Sequence, residues 1–249
     1  MDVRVHSPGP ADPFLGARDL FTTEHDLALP VHVHVRTDPD SRTWSAHYDD
    51  HHVLNISRQA ATSAMARPLA LHEYSHMRRY EQSHPSHIQS TTEALTLALA
   101  GHSVERRRLV HCHQIANHMK DIYADDITLS VGPADRLVSF LESSLAGALA
   151  DRPVDPPRWT RLTPAADPEI TAVNAAFALA LLERHDCIAD DHRLYDLAHA
   201  AANDAPGTDL AAFKHRFREL VADPDESQYR QALVDATREY ALQTGSAAD

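Results

Sequence analysis

His72-Glu73-Tyr74-Ser75-His76 sets two imidazoles four residues apart with a carboxylate between them. On a helix, positions i and i+4 share one face about one turn apart, so both rings can reach a single ion. Two neutral imidazole nitrogens hold Zn²⁺ at roughly 2.0–2.1 Å, and a site with three protein ligands keeps its fourth position for water. The ion brings the pKa of that water down toward about 7. Glu73, roughly 100° round the helix from His72, can take the proton as the water attacks a carbonyl. The spacing therefore specifies metal-activated hydrolysis if the segment is helical and a third ligand comes from elsewhere. Without those conditions the string is two incidental histidines on a surface helix.

The third ligand has two candidates. A long helix expected over 103–129 carries Asn117, Asp121 and Asp125 at i, i+4 and i+8, one polar stripe beside Ile122, Ala124 and Ile127. Acidic groups next to buried positions need a cation or hydrogen-bond donors. Asp121 is read as the third ligand. Asp125 is read as the group that orients a ligand histidine through its second ring nitrogen, with Asn117 alongside. The alternative is Glu93, which also completes a Ser90-x-x-Glu93 capping box. Tyr123, His113 and His118 are candidates for stabilising the oxyanion or touching the substrate. A fourth protein ligand, Glu93 or His118, would close the site and make it structural.

These residues need elements to position them. Pro68 suits the first turn of the motif helix, and Leu69, Leu71, Met77 and Tyr80 can bury it. Strands expected near 30–36, 43–48 and 52–56 read as a small antiparallel meander delivered directly before that helix. Val31-His32-Val33-His34-Val35 alternates strictly, valines to one face and histidines to the other. His32 and His34 would need a third ligand to hold a metal. None is near in sequence, so they read as a solvated strand face. Residues 1–12 read as an irregular lead, 13–25 as a short helix, and 83–87 as a polar loop. In that loop His84 and His87 are solvated or line a cleft mouth. A helix over 136–150 and a Pro-rich connector, 151–167, precede helices near 168–184, 190–203, 208–221 and 227–242. The fold class is α+β and mainly helical. Residues 1–150 are expected to form the metal-binding domain and 151–249 a helical C-terminal region.

Net charge is −13, which argues against nucleic acid or an anionic membrane as partner. Arg outnumbers Lys 21 to 2 and Asp outnumbers Glu 25 to 11, which suits a salt-adapted acidic surface or a GC-rich genome. Two cysteines, Cys112 and Cys187, make no disulfide framework. The first residues lack the apolar core of a signal peptide, and the longest apolar runs are too short to span a bilayer. A cytoplasmic protein is expected. Its reaction would need one Zn²⁺ per chain and a peptide or protein substrate.

His72-Glu73-x-x-His76, followed by a helix bearing Asn117-x-x-x-Asp121-x-x-x-Asp125, resembles the zincin metallopeptidases on their gluzincin-like side. The resemblance implies His72, His76 and Asp121 as ligands and Glu73 as general base. It also implies that the strand at 52–56 is the edge along which a substrate peptide lies. Asp121 departs from the usual Glu. The metzincin pattern fails, with Arg79 and Gln82 where Gly and His would stand. Over its whole length the chain is similar to a haloarchaeal family of HExxH proteins of unknown function. The other reading keeps the fold without the catalysis, as a metal-binding or protein-interaction module.

Overall fold

A computed structural model describes residues 1–6, 9–39, 41–151 and 167–243. In chain order its elements are β1 (Val3–His6), α1 (Asp12–Phe21), β2 (Val31–Arg36), β3 (Trp44–His47), β4 (His52–Ser57), α2 (Arg58–Ala61), α3 (Ala66–Glu81) and α4 (Pro85–Ile88). They continue as α5 (Thr91–Leu99), α6 (Arg106–Val131), α7 (Asp135–Ala150), α8 (Pro168–Arg184), α9 (Arg193–Asp204), α10 (Leu210–Arg218) and α11 (Glu226–Gln243). The fold is α+β and mainly helical, with one small sheet near the N-terminus. The Pro-rich connector falls, over 152–166, outside the described residues. Contacts group the chain into two compact units, Met1–Ile88 with Tyr123–Arg136, and Gln89–Ile122 with Leu137–Asp249.

In the first unit the expected antiparallel meander is replaced by a mixed sheet of order β1-β2-β4-β3. β1, β2 and β4 are parallel, and only β3 is antiparallel, to β4. The cause is burial. β4 is buried at five of its six positions, so it takes an inner place. β3 is short and leaves Trp44 49% exposed, so it goes to the edge. The strand at 52–56 is thus internal, and the free edge beside it is β3. β1 replaces part of the irregular lead; Val3-Arg4-Val5-His6 is too short to announce itself and is defined by pairing Val3 with Val31. One face of the sheet buries Val31, Val33, Leu54 and Ile56 against Phe14, Ala17 and Phe21 of α1 and Leu71, Tyr74 and Met77 of α3. The opposite face of β1 and β2 carries His6, His32 and His34. Partial desolvation, and then the neighbouring His6 ring, hold His32 and His34 below the ordinary imidazole range.

In the second unit α8 is apolar nearly all round, with twelve buried residues, and so sits at the centre. Ala175, Ala178, Leu179 and Leu182 pack with Leu145 of α7 and with Leu194, Ala198 and Ala201 of α9. Its start is fixed by Asp167, whose side chain accepts the Glu169 N–H at 3.1 Å, and by Pro168 in the first turn. Asp167 also accepts Arg107 Nη2 at 2.6 Å and lies 3.3 Å from His111 Nε2. Burial alone would raise its pKa, but the bonds from His111 and Arg107 outweigh this and hold it well below the usual carboxylate range. Asp167→Ala is expected to lower stability by about 1–3 kcal/mol at neutral pH through the lost cap and the unpaired donors. The folded pKa lies below the unfolded one, so this contribution is complete above the ordinary carboxylate range. It fades as pH falls toward the folded value. Denaturant titrations of both proteins at neutral and acid pH check this; a difference that grows in acid contradicts the assignment.

Candidate metal centre

α3 carries the HExxH string, and its seat is set from several sides within the first unit. Pro68 falls in the first turn, where its missing N–H costs no helical bond. Tyr74 is fully buried and donates its hydroxyl to the Phe14 carbonyl at 3.2 Å. Thr128 of α6 donates to Ser75 Oγ at 3.0 Å, and Arg79 Nε donates to the Tyr123 carbonyl at 2.9 Å. Gly132 allows the chain after α6 to approach α3: a Cβ there would lie 3.3 Å from Leu71 Cδ1. At the helix end, Glu81 accepts the N–H groups of Ala28 and Leu29, each at 2.9 Å, and His52 Nε2 at 3.1 Å.

The two motif imidazoles converge. His72 Nε2 and His76 Nε2 are 3.0 Å apart, and the rings stand nearly perpendicular at 82°. Their protons can be assigned from their other bonds. His72 Nδ1 is 2.7 Å from Asp125 Oδ1, so the proton sits on Nδ1 and the lone pair on Nε2. For His76 the assignment runs along a chain of contacts. The Ser86 backbone N–H, which can only donate, points at His84 Nδ1 at 3.3 Å. His84 Nδ1 is therefore an acceptor, and takes the Ser86 hydroxyl at 2.7 Å. Ser86 Oγ then accepts His87 Nδ1–H at 2.7 Å, which leaves His87 Nε2 to accept His76 Nδ1–H at 2.7 Å. In the neutral rings Nε2 of His76, like Nε2 of His72, is then the nitrogen able to bind a metal. Two Nε2 atoms 3.0 Å apart are spaced to share one bridging partner, a proton or a metal cation. Two ligands on a tetrahedral zinc at bond lengths near 2.05 Å stand about 3.3 Å apart, so the pair is close to that requirement. The donor set fits the ion.

The remaining sequence candidates divide clearly. Asp125 is buried, 2% exposed, and bonded to His72 as expected of an orienting group. Glu73 is also buried, 6% exposed, on the same helix as the two rings. Asp121 is one turn before Asp125 on the unbroken α6, so the helix face that gives Asp125 to His72 also carries Asp121. Asn117 and His113 are exposed on α6. His118 stacks on Phe177 at 4.2 Å, with Nε2 2.8 Å from Asn174 Oδ1. Tyr123 is buried with its ring 4.6 Å from His84. Glu93 is exposed on α5, and its N–H donates to Ser90 Oγ at 3.3 Å, which is the capping bond.

His84 and His87, expected to be solvated or to line a cleft mouth, instead join Ser86 in a bonded chain behind His76, a role the sequence did not reveal. The expected polar loop holds a one-turn helix, α4, with His84 and Ser86 buried. Pro85 directly after His84 was the available signal, since Pro favours the first helical position.

Residues 1–242 match the model of a family of unknown function, DUF5781. Comparison with curated proteins and with solved structures gives no match. No helix among the described residues is long and apolar enough to cross a membrane.

Proposed function

Since the chain belongs to the DUF5781 family, whose function is unknown, its site must speak for it, and we propose a zinc-dependent hydrolase that cleaves peptide bonds. The observation that carries this reading is the convergence of the two Nε2 atoms to 3.0 Å, with each ring bonded on its other side through Nδ1, His72 to Asp125 and His76 to His87. His72, His76 and Asp121 would hold the ion, one per chain at this site. When bound, zinc supplies a Lewis acid and a water acidified to near neutral pH. Glu73 takes the proton from the attacking water and returns it to the leaving amine. Asp125 keeps the His72 ring in its ligand tautomer, and His87 does the same for His76. The gluzincin-like resemblance agrees with these roles, with Asp121 as the shorter acid. The peptide would lie along β3, the exposed edge next to β4.

Metal removal tests the reading. Protein stripped by a chelator is expected to stop hydrolysing an unstructured peptide substrate and to recover on addition of Zn²⁺. Hydrolysis that continues at the full rate after atomic absorption shows the metal gone would overturn it.

A further inference from the structure

The sheet brings together three histidines that are far apart in sequence. β1 and β2 run parallel with His6 opposite His34, and His32 is two residues before His34 on the same face. The His6 ring is 4.9 Å from that of His32 and 5.1 Å from that of His34. One nitrogen from each ring lies within 4.8 Å of the others. We propose that His6, His32 and His34 form a second metal site, for a late first-row divalent ion such as Zn²⁺, Ni²⁺ or Cu²⁺.

The chemistry follows from the donor set. Three imidazoles without a carboxylate suit these ions and not Mg²⁺ or Ca²⁺, which need oxygen. Two guanidiniums share this face, and the ion would have to bind beside their charge: Arg4 Nε is paired with Asp2 at 2.8 Å, and Arg36 Nε bonds Asn55, the residue opposite His34, at 2.8 Å. A fourth ring, His51, lies 4.9 Å from His32 but gives its Nδ1 to Asp50 at 2.6 Å. Tetrahedral binding needs nitrogens about 3.3 Å apart, so the rings must close by roughly 1.5 Å at most. Rotation of half-exposed side chains supplies that, while the β1–β2 ladder holds the three Cα atoms in place. The site faces solvent on the side of the sheet opposite the apolar core, and its ligands are shared with nothing in the HExxH cluster.

Zinc titration of the full chain against a chromophoric chelator tests this. The wild type is expected to bind two ions per chain. His72→Ala/His76→Ala should keep one, and adding His6→Ala/His34→Ala should remove it. Single loss of His34 should weaken that ion by more than the roughly 10–100-fold that follows loss of an outer partner. To exclude misfolding, imidazole ¹⁵N shifts are followed as Zn²⁺ is added to His72→Ala/His76→Ala, in which all three sheet histidines are intact. Movement of the His6, His32 and His34 signals supports the site; movement of other histidines alone overturns it. So does a fourfold variant that still binds one ion, or a His72→Ala/His76→Ala variant that binds none. If the HExxH assignment is the one in error, His72→Ala/His76→Ala will match the wild type and His6→Ala/His34→Ala will lose its ion, so the two failures are distinct.

Discussion

Glu73→Gln is expected to lower peptide hydrolysis by roughly 10²–10⁴-fold while zinc content stays at the wild-type level. The amide keeps the shape of the buried side chain, so packing on α3 is undisturbed. It cannot accept a proton at neutral pH, so the attacking water loses its base. His72 and His76 are held through Nδ1 by Asp125 and His87, so the convergence of their Nε2 atoms survives the change. The measurement is the rate at saturating peptide, taken together with metal content and a far-UV spectrum. Equal rates with equal zinc would remove Glu73 from the mechanism and leave the metal assignment standing.

The acids of α6 and α5 should differ sharply in what they contribute to zinc affinity. Asp121→Ala is expected to do most damage, Asp125→Ala to cost roughly 10–100-fold, and Glu93→Ala to change little. The order follows from their bonds. Asp121 would bind the ion itself. Asp125 acts through His72 Nδ1, and its loss frees that imidazole to adopt the other tautomer. Glu93 contributes through the start of α5, where the Ser90 cap is formed with its backbone N–H. Competition of the three single variants against a chelator gives the order directly. Loss of zinc in Glu93→Ala with wild-type affinity in Asp121→Ala would move the ligand to α5.

What could be read from the sequence was what local periodicity encodes. α3, α6 and the later helices fall close to their expected bounds because capping residues and apolar spacing are written within each segment. The pairing of strands is not. β2 and β4 both present apolar residues to one face, and that pattern is equally compatible with parallel and antiparallel neighbours. The decision rested on which strand was best covered, a property of α1 and α3 as much as of the strands. The same limit hid His6: its meaning comes from lying opposite His34, and β1 was too short to be recognised alone. His87 was hidden differently. Its neighbours look like a solvated loop, and only the turn at Pro85 swings the ring onto His76.

Glu81 has a bearing on which insertions this chain can accept. One carboxylate holds the N–H groups of Ala28 and Leu29, two residues before β2 begins, and His52, where β4 begins. Extra residues between α1 and Asp26 can bulge outward without touching that clasp. A single residue added between Leu29 and Val31 cannot. Either both Glu81 bonds slip, or β2 moves by one position, and Val31 and Val33 exchange places with His32 and His34. Natural or engineered length variation in the α1–β2 connection should therefore stop before residue 26. A one-residue insertion there and one after residue 29 would make a matched pair, the first folding and the second not.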